Sequence, residues 1–445
     1  MFEPIHYRNH LARLPQIAVD SSDYSIIETP AAFRRQLLSL INSAKKRIYM
    51  TALYLESDQA GEQVLRALLA AKQSNPALDI NVFVDFHRAN RGRIGEQATQ
   101  TNRDFYCSLM SEYRYPIGIF GVPVKSRELF GVLHLKGFVF DDSVLYSGAS
   151  LSNAYLHYQD NYRYDRYHWI RNAQLSDSFV DFMRRHFDHK AVILLDGQAL
   201  PGRKHRGIRT LLRTLQQACY RFEPTVQSPP LGLTPLCGLG IRKNRFNSVV
   251  CDLLRAAERE VFLCTPYFNL SKPIARDINH LLKRGVHVTI VVGDKTANDF
   301  YIRPGQPFST IGGLPYLYEA HLRSYLRQHE KHLKSGHLKV LLWKDGENSY
   351  HLKGLVVDQR WHLITGSNLN PRAWRLDFEN GLLIDDRVGQ LGSQLAQERQ
   401  RILQHTTQLV SHCDLDALKD YPPEIQRLLT SLRRFKAHLL IKRVI

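Results

Sequence analysis

A long internal repeat is the feature that most constrains how this chain can fold. The stretch HLKGFVFDDSVLYSGAS begins at His134, and the similar stretch HLKGLVVDQRWHLITGS begins at His351. A second pair lies upstream, where FRRQLLSLINSAKKRIYMTALYLES begins at Phe33 and FNSVVCDLLRAAEREVFLCTPYFNL begins at Phe246. Because the offset between the two members is nearly the same in both pairs, we expect two copies of one structural unit.

Each copy alternates helical and strand patterns. The upstream stretch has apolar residues at helical spacing, followed by a short β-rich run. A second helix and strand follow, VLRALLAAK with DINVFVDFHRAN in the first copy and DINHLLKRG with VHVTIVVGDKTAN in the second. This alternation predicts an α/β fold, with two α/β sandwich lobes related by a pseudo-twofold axis and a basic helix at the C-terminal end.

The composition of the intervening segments predicts the domain division. A stretch with Pro, Gly and a basic amphipathic segment separates the two copies and is typical of a linker with one helix. The last segment carries apolar residues on one helical face and Arg and Lys on the others, which indicates a helix at an anionic membrane surface or, equally well, a helix docked on the second lobe. The predicted ranges are 1–195 for the first lobe, 196–240 for the linker, 241–423 for the second lobe and 424–445 for the basic helix.

The charge of the chain favours anionic partners. There are 60 Lys and Arg against 42 Asp and Glu, a formal net charge of +18. Such a field attracts nucleic acid or an anionic membrane surface. No apolar run approaches the roughly 20 residues that cross a bilayer, and the six cysteines form no C-x-x-C pair. We therefore expect a cytoplasmic protein with reduced thiols, peripherally associated with the inner face of the cytoplasmic membrane. Non-specific RNA or ribosome association is a further expectation, and the oligomeric state is left open.

The repeated motif places two functional side chains on one face of a strand. Alternate residues of a strand point the same way, so His134 and Lys136 share a face, and His351 and Lys353 repeat the arrangement. The return strand of each motif then brings small polar side chains beside that face. If the lobes face each other, one pocket holds two imidazoles, two ammonium groups and these polar side chains, which are Ser150, Asn153, Ser367 and Asn370.

This set of groups suits phosphoryl transfer without a metal or a cofactor. Lysines and amide donors stabilise the charge on the non-bridging oxygens of a phosphodiester. One histidine can attack phosphorus while the other protonates the leaving oxygen. Asp165 follows His134 and Glu379 follows His351 at similar distances along the chain, so both carboxylates are available to hold the rings. The four histidines between residues 321 and 337 lack zinc-site spacing and are predicted to lie on a solvated helix.

Two further aspartates in the motifs have a structural interpretation. Asp141 and Asp358 each stand at the turn between the motif strand and its return strand. Aspartate at such a turn accepts hydrogen bonds from backbone N–H groups. We therefore predict a structural role for both side chains rather than direct chemistry.

The two motifs match the HxKxxxxD signature of the phospholipase D superfamily, which both halves resemble over nearly the whole chain. Within it, the chain resembles the bacterial CDP-diacylglycerol–serine O-phosphatidyltransferase (phosphatidylserine synthase) family of the cytoplasmic, Gram-negative type. The longer stretches that carry this resemblance are YRYDRYHWIRN, CTPYFNL, VVGDKTANDFYI, GGLPYLYEAHLR and ITGSNLNPRAWRLDFEN. The first motif departs from the superfamily pattern, because it reads Gly-Ala-Ser where the pattern has Gly-Ser, which shifts Ser150 by one position.

The resemblance implies a ping-pong reaction in phospholipid biosynthesis. A histidine displaces CMP from CDP-diacylglycerol, and the hydroxyl of L-serine then takes the phosphatidyl group from that histidine. By superfamily precedent, His134 is the nucleophile and His351 the general acid, then base. A loop at the carboxyl end of a strand is where ligands of α/β sheets tend to bind. Candidates for holding cytidine or serine there are Asp294, Lys295, Asn298 and Asp299, although a turn with a salt bridge explains these residues nearly as well.

An alternative of another class stays open at this point. A phospholipase D-type phosphodiesterase or nuclease uses the same two histidines and the same positive field, with water in place of serine. The residues of the motifs are common to both functions. The discriminating observation is CMP release that depends on L-serine.

Overall fold

The computed structural model describes residues 3–92, 100–197, 207–224, 226–303 and 305–434. In the first half the elements are α1 Pro4–Ala12, β1 Ile17–Ala18, β2 Tyr24–Ile27, α2 Pro30–Ser43, β3 Arg47–Ala52, α3 Gln59–Ser74, β4 Asp79–Asp85, α4 Phe86–Ala89, α5 Asn102–Met110, β5 Gly118–Val122, β6 Phe138–Phe140, β7 Ser143–Ser147, β8 Arg163–Tyr164, β9 Tyr167–Arg171, α6 Ala173–Phe187 and β10 Ile193–Leu194. In the second half they are α7 Ile208–Gln216, β11 Leu231–Leu239, α8 Arg245–Ala256, β12 Glu260–Thr265, α9 Lys272–Lys283, β13 His287–Gly293, α10 Leu314–Gln328, α11 Glu330–Lys334, β14 Leu338–Trp343, β15 Ser349–Tyr350, β16 Gly354–Val357, β17 Trp361–Thr365, α12 Pro371–Arg375, β18 Phe378–Asp386, α13 Gly392–Leu403, β19 Thr406–Leu409 and α14 Pro423–Arg434.

Two large sheets form the centres of the two lobes, and their strand orders match. The first sheet runs β2-β9-β7-β6-β3-β4-β5-β10, and the second runs β1-β11-β18-β17-β16-β12-β13-β14-β19. In both, three neighbouring strands are parallel and are followed by an antiparallel hairpin that contains the motif. Without the short β1, the sheets correspond strand for strand. The predicted α/β class with two duplicated lobes is therefore confirmed.

The amphipathic helices identified in the repeat cover equivalent faces of the two sheets. Thr29 caps α2 by accepting a hydrogen bond from the backbone N–H of Ala32 at 3.1 Å, and Pro30 follows it at the first helical position. Helix α8 is capped in the same way by Asn244. Their apolar faces begin at Phe33 and Phe246, which are both buried. Burial of such faces supplies the main stabilisation of each lobe.

The first residues of the chain belong to the second lobe. Helix α1 packs on α8, and β1 pairs with β11, with Ile17 opposite Leu233. Strand β11 itself lies inside the range 196–240 that the sequence suggested as a linker. Its sequence LGLTPLCGL contains Pro and Gly, which are typical of loops, yet the whole strand is buried. The division into four ranges stays a prediction, and the end of the linker range is a strand of the second sheet.

Both basic helices turn apolar side chains toward the protein. Leu211 and Leu215 of α7 are buried in a hydrophobic core to which both lobes contribute. Ile425 and Leu429 of α14 pack with residues of α10. The positions Phe435 and Leu439, which the sequence placed on the same apolar face, lie outside the described residues. Among the helices that the structure describes, none is long and apolar enough to cross a membrane.

The turn aspartates tie each motif hairpin to the start of the neighbouring strand. Asp141 accepts hydrogen bonds from the backbone N–H groups of residues 45–47 at 2.7–3.0 Å. Asp358 accepts them from residues 258–260 in the same manner. Both aspartates adopt positive φ, +48° and +52°, a region that Asp tolerates better than most residues. This geometry supports the structural role expected for the two side chains.

Replacement of Asp141 tests this role. Asp141→Asn should lower the free energy of unfolding by about 1–3 kcal/mol, because an amide cannot accept from all three N–H groups. Thermal or urea unfolding measures the change. Asp142→Asn is the matched control, since the side chain of Asp142 is 56% exposed. Equal stability of the two variants would contradict the structural role.

Candidate active site

Backbone hydrogen bonds between the lobes hold the two motifs in place. The N–H of His134 donates to the carbonyl of Phe378 at 3.0 Å, and the N–H of Phe378 donates to the carbonyl of Val132 at 3.0 Å. In the other half, β15 pairs with β8, and the N–H of His351 donates to the carbonyl of Tyr164 at 2.9 Å. Each motif is thus joined to a segment of the opposite lobe. Both of these segments carry a carboxylate that the sequence suggested as a partner for histidine.

Each histidine is held by a carboxylate from the other lobe. Nδ1 of His134 lies 2.9 Å from Oε2 of Glu379, and Nδ1 of His351 lies 3.0 Å from Oδ2 of Asp165. Both carboxylates are buried. The sequence suggested the two residues, but it did not indicate that the pairing crosses between the lobes. A carboxylate at Nδ1 orients the ring and directs Nε2 away from the pair.

The two lysines of the motifs are buried beside the histidines. Nζ of Lys353 lies 3.4 Å from Oδ2 of Asp165 and also contacts the ring of His351. In the described part of the chain, Nζ of Lys136 has no hydrogen-bond partner. Burial, assisted by repulsion from Lys353, lowers the pKa of Lys136 to about 7. Burial also lowers the pKa of Lys353 to about 8, although Asp165 opposes the shift. A bound anion would supply the partner that Nζ of Lys136 lacks among the described residues, whereas Lys353 is already paired with Asp165.

Burial also favours neutral imidazoles. Burial and then the charge of Lys136 hold the pKa of His134 well below its usual value. Burial and then Lys353 do the same for the pKa of His351. Burial raises the pKa of Glu379 as well, which disfavours a full ion pair between Glu379 and His134. A neutral ring with its Nδ1 proton in that contact has a lone pair on Nε2, which is the form needed for nucleophilic attack.

Both histidines line one cavity between the lobes. Its volume is about 1450 Å³, larger than a typical small-molecule pocket. Arginines and amides supply donors on its wall, and an apolar part extends along loops of both lobes. The histidines therefore converge on a common space, as the motif duplication predicted. Residues that contribute further polar and charged groups to the wall are Arg88, Tyr155, Arg163, Tyr267, Asp299, Arg372 and Asp377.

The polar residues expected beside the motifs mostly reach the cavity. Ser150, Asn153 and Asn370 line it, whereas Ser367 is buried and is not one of its lining residues. Asn153 accepts a hydrogen bond from the backbone N–H of Ala60 at 2.8 Å. The side-chain oxygen of Asn370 caps α12. Ser150, despite its shift by one position in the motif, is thus placed for contact with a bound phosphate.

Of the four residues expected to bind a ligand in the loop after β13, Asp299 lines the described cavity and the other three do not. Asp294 accepts a hydrogen bond from the backbone N–H of Thr296 at 2.8 Å, and Lys295 forms ion pairs with Glu319 and Asp416. The side chain of Asn298 caps the next turn. None of Asp294, Lys295 and Asn298 lines the described cavity, because their polar groups are used within the fold. The following residue, Asp299, does line it.

Asn380 is a positioning residue that sequence reasoning missed. Its side-chain amide accepts a hydrogen bond from the N–H of Lys136 at 2.8 Å and donates one to the carbonyl of Lys136 at 2.8 Å. It also contacts the hydroxyl of Tyr220 at 2.9 Å. Asn380 thereby fixes the backbone that carries Lys136 from the other lobe. In the sequence, the position of Asn380 directly after Glu379 is the feature that could have indicated a role near the site.

Two duplicated lobes that bring paired histidine–lysine motifs to one cavity define a phospholipase D-like protein. The family model described as cardiolipin synthase, PLD-like domain, matches residues 250–406. The CDP-diacylglycerol–serine O-phosphatidyltransferase of Escherichia coli is 46% identical over 448 residues, 100% of this chain and 99% of that protein. The enzyme of the same name from Haemophilus influenzae is 46% identical, with 98% of each chain covered.

A solved structure agrees with these sequence relatives. The crystal structure of phosphatidylserine synthase from Haemophilus influenzae superimposes with a TM-score of 0.96 at 45% identity, covering 99% of this chain and 100% of that one. The similarity therefore extends through both lobes. The chain belongs to the CDP-diacylglycerol–serine O-phosphatidyltransferase family.

The lowered lysine pKa values predict how anion binding depends on pH. Lys136, with its pKa of about 7, is protonated below that pH and loses its charge above it. The affinity for sulfate, whose charge is constant in this range, should fall by about tenfold or more between pH 6 and pH 8. Lys136→Met should bind sulfate more weakly at pH 6 and should lose most of this dependence. Isothermal titration calorimetry measures both effects.

Lys46→Met is the control for that measurement, since the side chain of Lys46 is 74% exposed. It should keep the pH dependence of the unmodified protein. The remaining pH dependence of Lys136→Met should come from Lys353, whose pKa of about 8 lies at the upper end of this range. An undiminished pH dependence in Lys136→Met would show that Lys136 does not bind the anion.

Proposed function

We propose that this protein transfers the phosphatidyl group of CDP-diacylglycerol to L-serine, forming phosphatidylserine and CMP. The observation that carries the proposal is the convergence of two histidine–carboxylate pairs on one cavity. It is supported by relatives of that activity that match the chain over its full length. Lys136 and Lys353 are buried and are not lining residues of the described cavity, so they favour a phosphate there through their positive charge. L-serine distinguishes the reaction from hydrolysis by water.

The first step forms a covalent intermediate. Nε2 of His134 attacks the phosphorus of the phosphatidyl group, and the bond from phosphorus to the CMP oxygen breaks. The negative charge of the bound phosphate favours the protonated form of His351, which gives its proton to that oxygen as CMP leaves. Lys136 and Lys353 stabilise the charge on the non-bridging oxygens. The contact of Nδ1 of His134 with Glu379 leaves Nε2 for the attack, but His351 has an equivalent contact with Asp165, so the choice of His134 follows superfamily precedent.

The second step releases the product. His351, now neutral, accepts the proton of the serine hydroxyl as the serine oxygen bonds to phosphorus. The bond between phosphorus and Nε2 of His134 breaks, which restores the free imidazole. The hydroxyl of Tyr155 lies 3.0 Å from Nε2 of His351 and helps to orient this ring for both proton transfers.

Loss of the nucleophile tests the mechanism. His134→Ala should lower both the exchange of labelled CMP into CDP-diacylglycerol and the formation of phosphatidylserine by at least about 1,000-fold, because neither half-reaction proceeds without the intermediate. Radiochemical assays measure both rates. His287→Ala, at an exposed position, serves as the control. Full exchange activity in His134→Ala would rule out His134 as the nucleophile.

We also propose that the rim of the cavity is where the protein meets an anionic membrane. Leu129 and Phe130 are 58% and 48% exposed, and Phe308 is 48% exposed. Leu129 lines the cavity, and so does Ser309, the neighbour of Phe308. A diacyl substrate needs an apolar route from the bilayer to the histidines, and the positive charge of the chain favours anionic lipid. The apolar face of α14, in contrast, is occupied by protein contacts.

A charged rim should weaken membrane binding. The double variant Leu129→Asp/Phe308→Asp should bind vesicles of phosphatidylglycerol and phosphatidylethanolamine about tenfold or more weakly, because each side chain loses its favourable transfer into the interface. Vesicle co-sedimentation measures the affinity. Val388→Asp is the control, because Val388 is 68% exposed and is not a lining residue of the cavity. Equal weakening by the control would disprove the location.

Two further proposals concern the location of the protein and its association with other polyanions, which its net charge of +18 favours. A cytoplasmic location would present the rim to the inner face of the cytoplasmic membrane. In the same compartment the chain would associate non-specifically with RNA or ribosomes through counterion release, in a salt-dependent manner. The association with RNA or ribosomes does not require the residues of the cavity.

A further inference from the structure

The wall of the cavity beside His351 contains an ion pair that the mechanism above does not use. Nε of Arg163 lies 2.8 Å from Oδ1 of Asp299, and both side chains line the cavity. Arg163 belongs to β8 of the first lobe, and Asp299 belongs to the loop after β13 of the second lobe. The two side chains are 20% and 10% exposed. The pair is therefore largely buried, yet open to the cavity.

Both members of the pair keep hydrogen-bonding capacity. Nε of Arg163 contacts Asp299 and also donates to Oγ of Ser349 at 3.2 Å. Because a guanidinium carries five N–H donors, donors remain for a second anion. Oδ2 of Asp299 accepts a hydrogen bond from the hydroxyl of Tyr267 at 2.7 Å. Oδ1 of Asp299 accepts no aligned hydrogen bond from the part of the chain that the structure describes. The pair thus offers one cation and one anion to a ligand.

A single aromatic side chain connects this pair to the general base. The guanidinium of Arg163 lies 4.7 Å from the ring centre of Tyr155. The hydroxyl of Tyr155 lies 3.0 Å from Nε2 of His351. A small molecule that contacts Arg163 and Asp299 is therefore within a few ångströms of His351. This distance suits a short ligand with a hydroxyl on one end.

The direction of displacement places the acceptor on this side of the cavity. In transfer at phosphorus, the attacking and leaving oxygens or nitrogens lie roughly in line. When His134 is the nucleophile, both the departing CMP and the incoming hydroxyl stand on the side of His351. The acceptor subsite therefore belongs beside His351, where the Arg163–Asp299 pair is located.

The equivalent position in the other lobe carries the opposite charge. Arg163 stands two residues before Asp165, and Asp377 stands two residues before Glu379. Asp377 forms an ion pair with Arg372 at 3.1 Å. A purely structural link inherited by duplication would be expected to keep one sign in both lobes. The difference in charge between Arg163 and Asp377 indicates that the two walls of the cavity contact different parts of the reactants.

We propose that Arg163 and Asp299 form the subsite for the zwitterion of the amino acid acceptor. Arg163 binds the carboxylate, Asp299 binds the ammonium group, and the hydroxyl is thereby directed to His351. The subsite rests on the proposed function and specifies its acceptor. When the serine oxygen bonds to phosphorus, its proton passes to His351 and the bond to His134 breaks, while both charges of the zwitterion remain on the pair.

Acceptor analogues test each half of the subsite. 2-Aminoethanol lacks the carboxylate and 3-hydroxypropanoate lacks the ammonium group of L-serine. The unmodified protein should prefer L-serine over either by about 100-fold or more in kcat/KM. Arg163→Gln should reduce the preference over 2-aminoethanol by at least about tenfold, and Asp299→Asn should reduce the preference over 3-hydroxypropanoate to the same extent. CMP exchange, which needs no serine, should fall by a smaller factor than transfer to L-serine in Asp299→Asn.

The controls separate the subsite from a structural link and from the proposed function itself. Arg171→Gln and Asp23→Asn break an exposed ion pair of the first lobe and should change neither preference. Unchanged preferences in both Arg163→Gln and Asp299→Asn would overturn the subsite, as would equal loss of exchange and of every acceptor. If Arg163→Gln does not fold, Arg163→Lys and Asp299→Asn decide the question. A different result would contradict the proposed function itself, namely the absence of serine-dependent CMP release by the unmodified protein.

Discussion

The exchange of carboxylates between the lobes is the interaction on which the site depends. His134 is held by Glu379 and His351 by Asp165, so neither lobe contains a complete pair. The strand contacts that align these partners also run between the lobes. A buried ionisable group without its partner is costly, so separation of the lobes would leave several such groups unsatisfied. Duplication has therefore produced one joint site rather than two independent ones.

The same burial that favours lobe packing prepares the site for a phosphate. Lys136 and Lys353 are almost completely inaccessible, and their pKa values fall to about 7 and about 8. Burying two lysine ammonium groups costs folding free energy, because both groups lose hydration. The burial keeps both amines close to the proposed phosphate position. When the anion arrives, its charge restores theirs, and little reorganisation is needed because the strands and Asn380 already fix the backbone of Lys136.

Sequence reasoning was most successful where the signal was local or repeated. The motif residues and the capping role of Asp141 follow from strand alternation and turn chemistry, and the duplication revealed the two lobes. Tertiary information was missing elsewhere. Strand β11 contains Pro and Gly, which predict a linker, although pairing with β18 buries it. The crossed pairing of His134 with Glu379 depends on how the lobes dock, which spacing along the chain does not encode.

Strand β1 gives this chain an unusual order of assembly. Ile17 pairs with Leu233, and Ala18 pairs with Gly232. A segment near the beginning of the chain therefore has no partner strand until the first half of the chain has been synthesised. Such a distant contact is slow to form by loop closure. During synthesis, the leading helix and strand would remain without their partners while the first lobe folds behind them. They would pack on the second lobe only after strand β11 has been synthesised. The beginning of the chain would therefore reach its final position after the first lobe has folded.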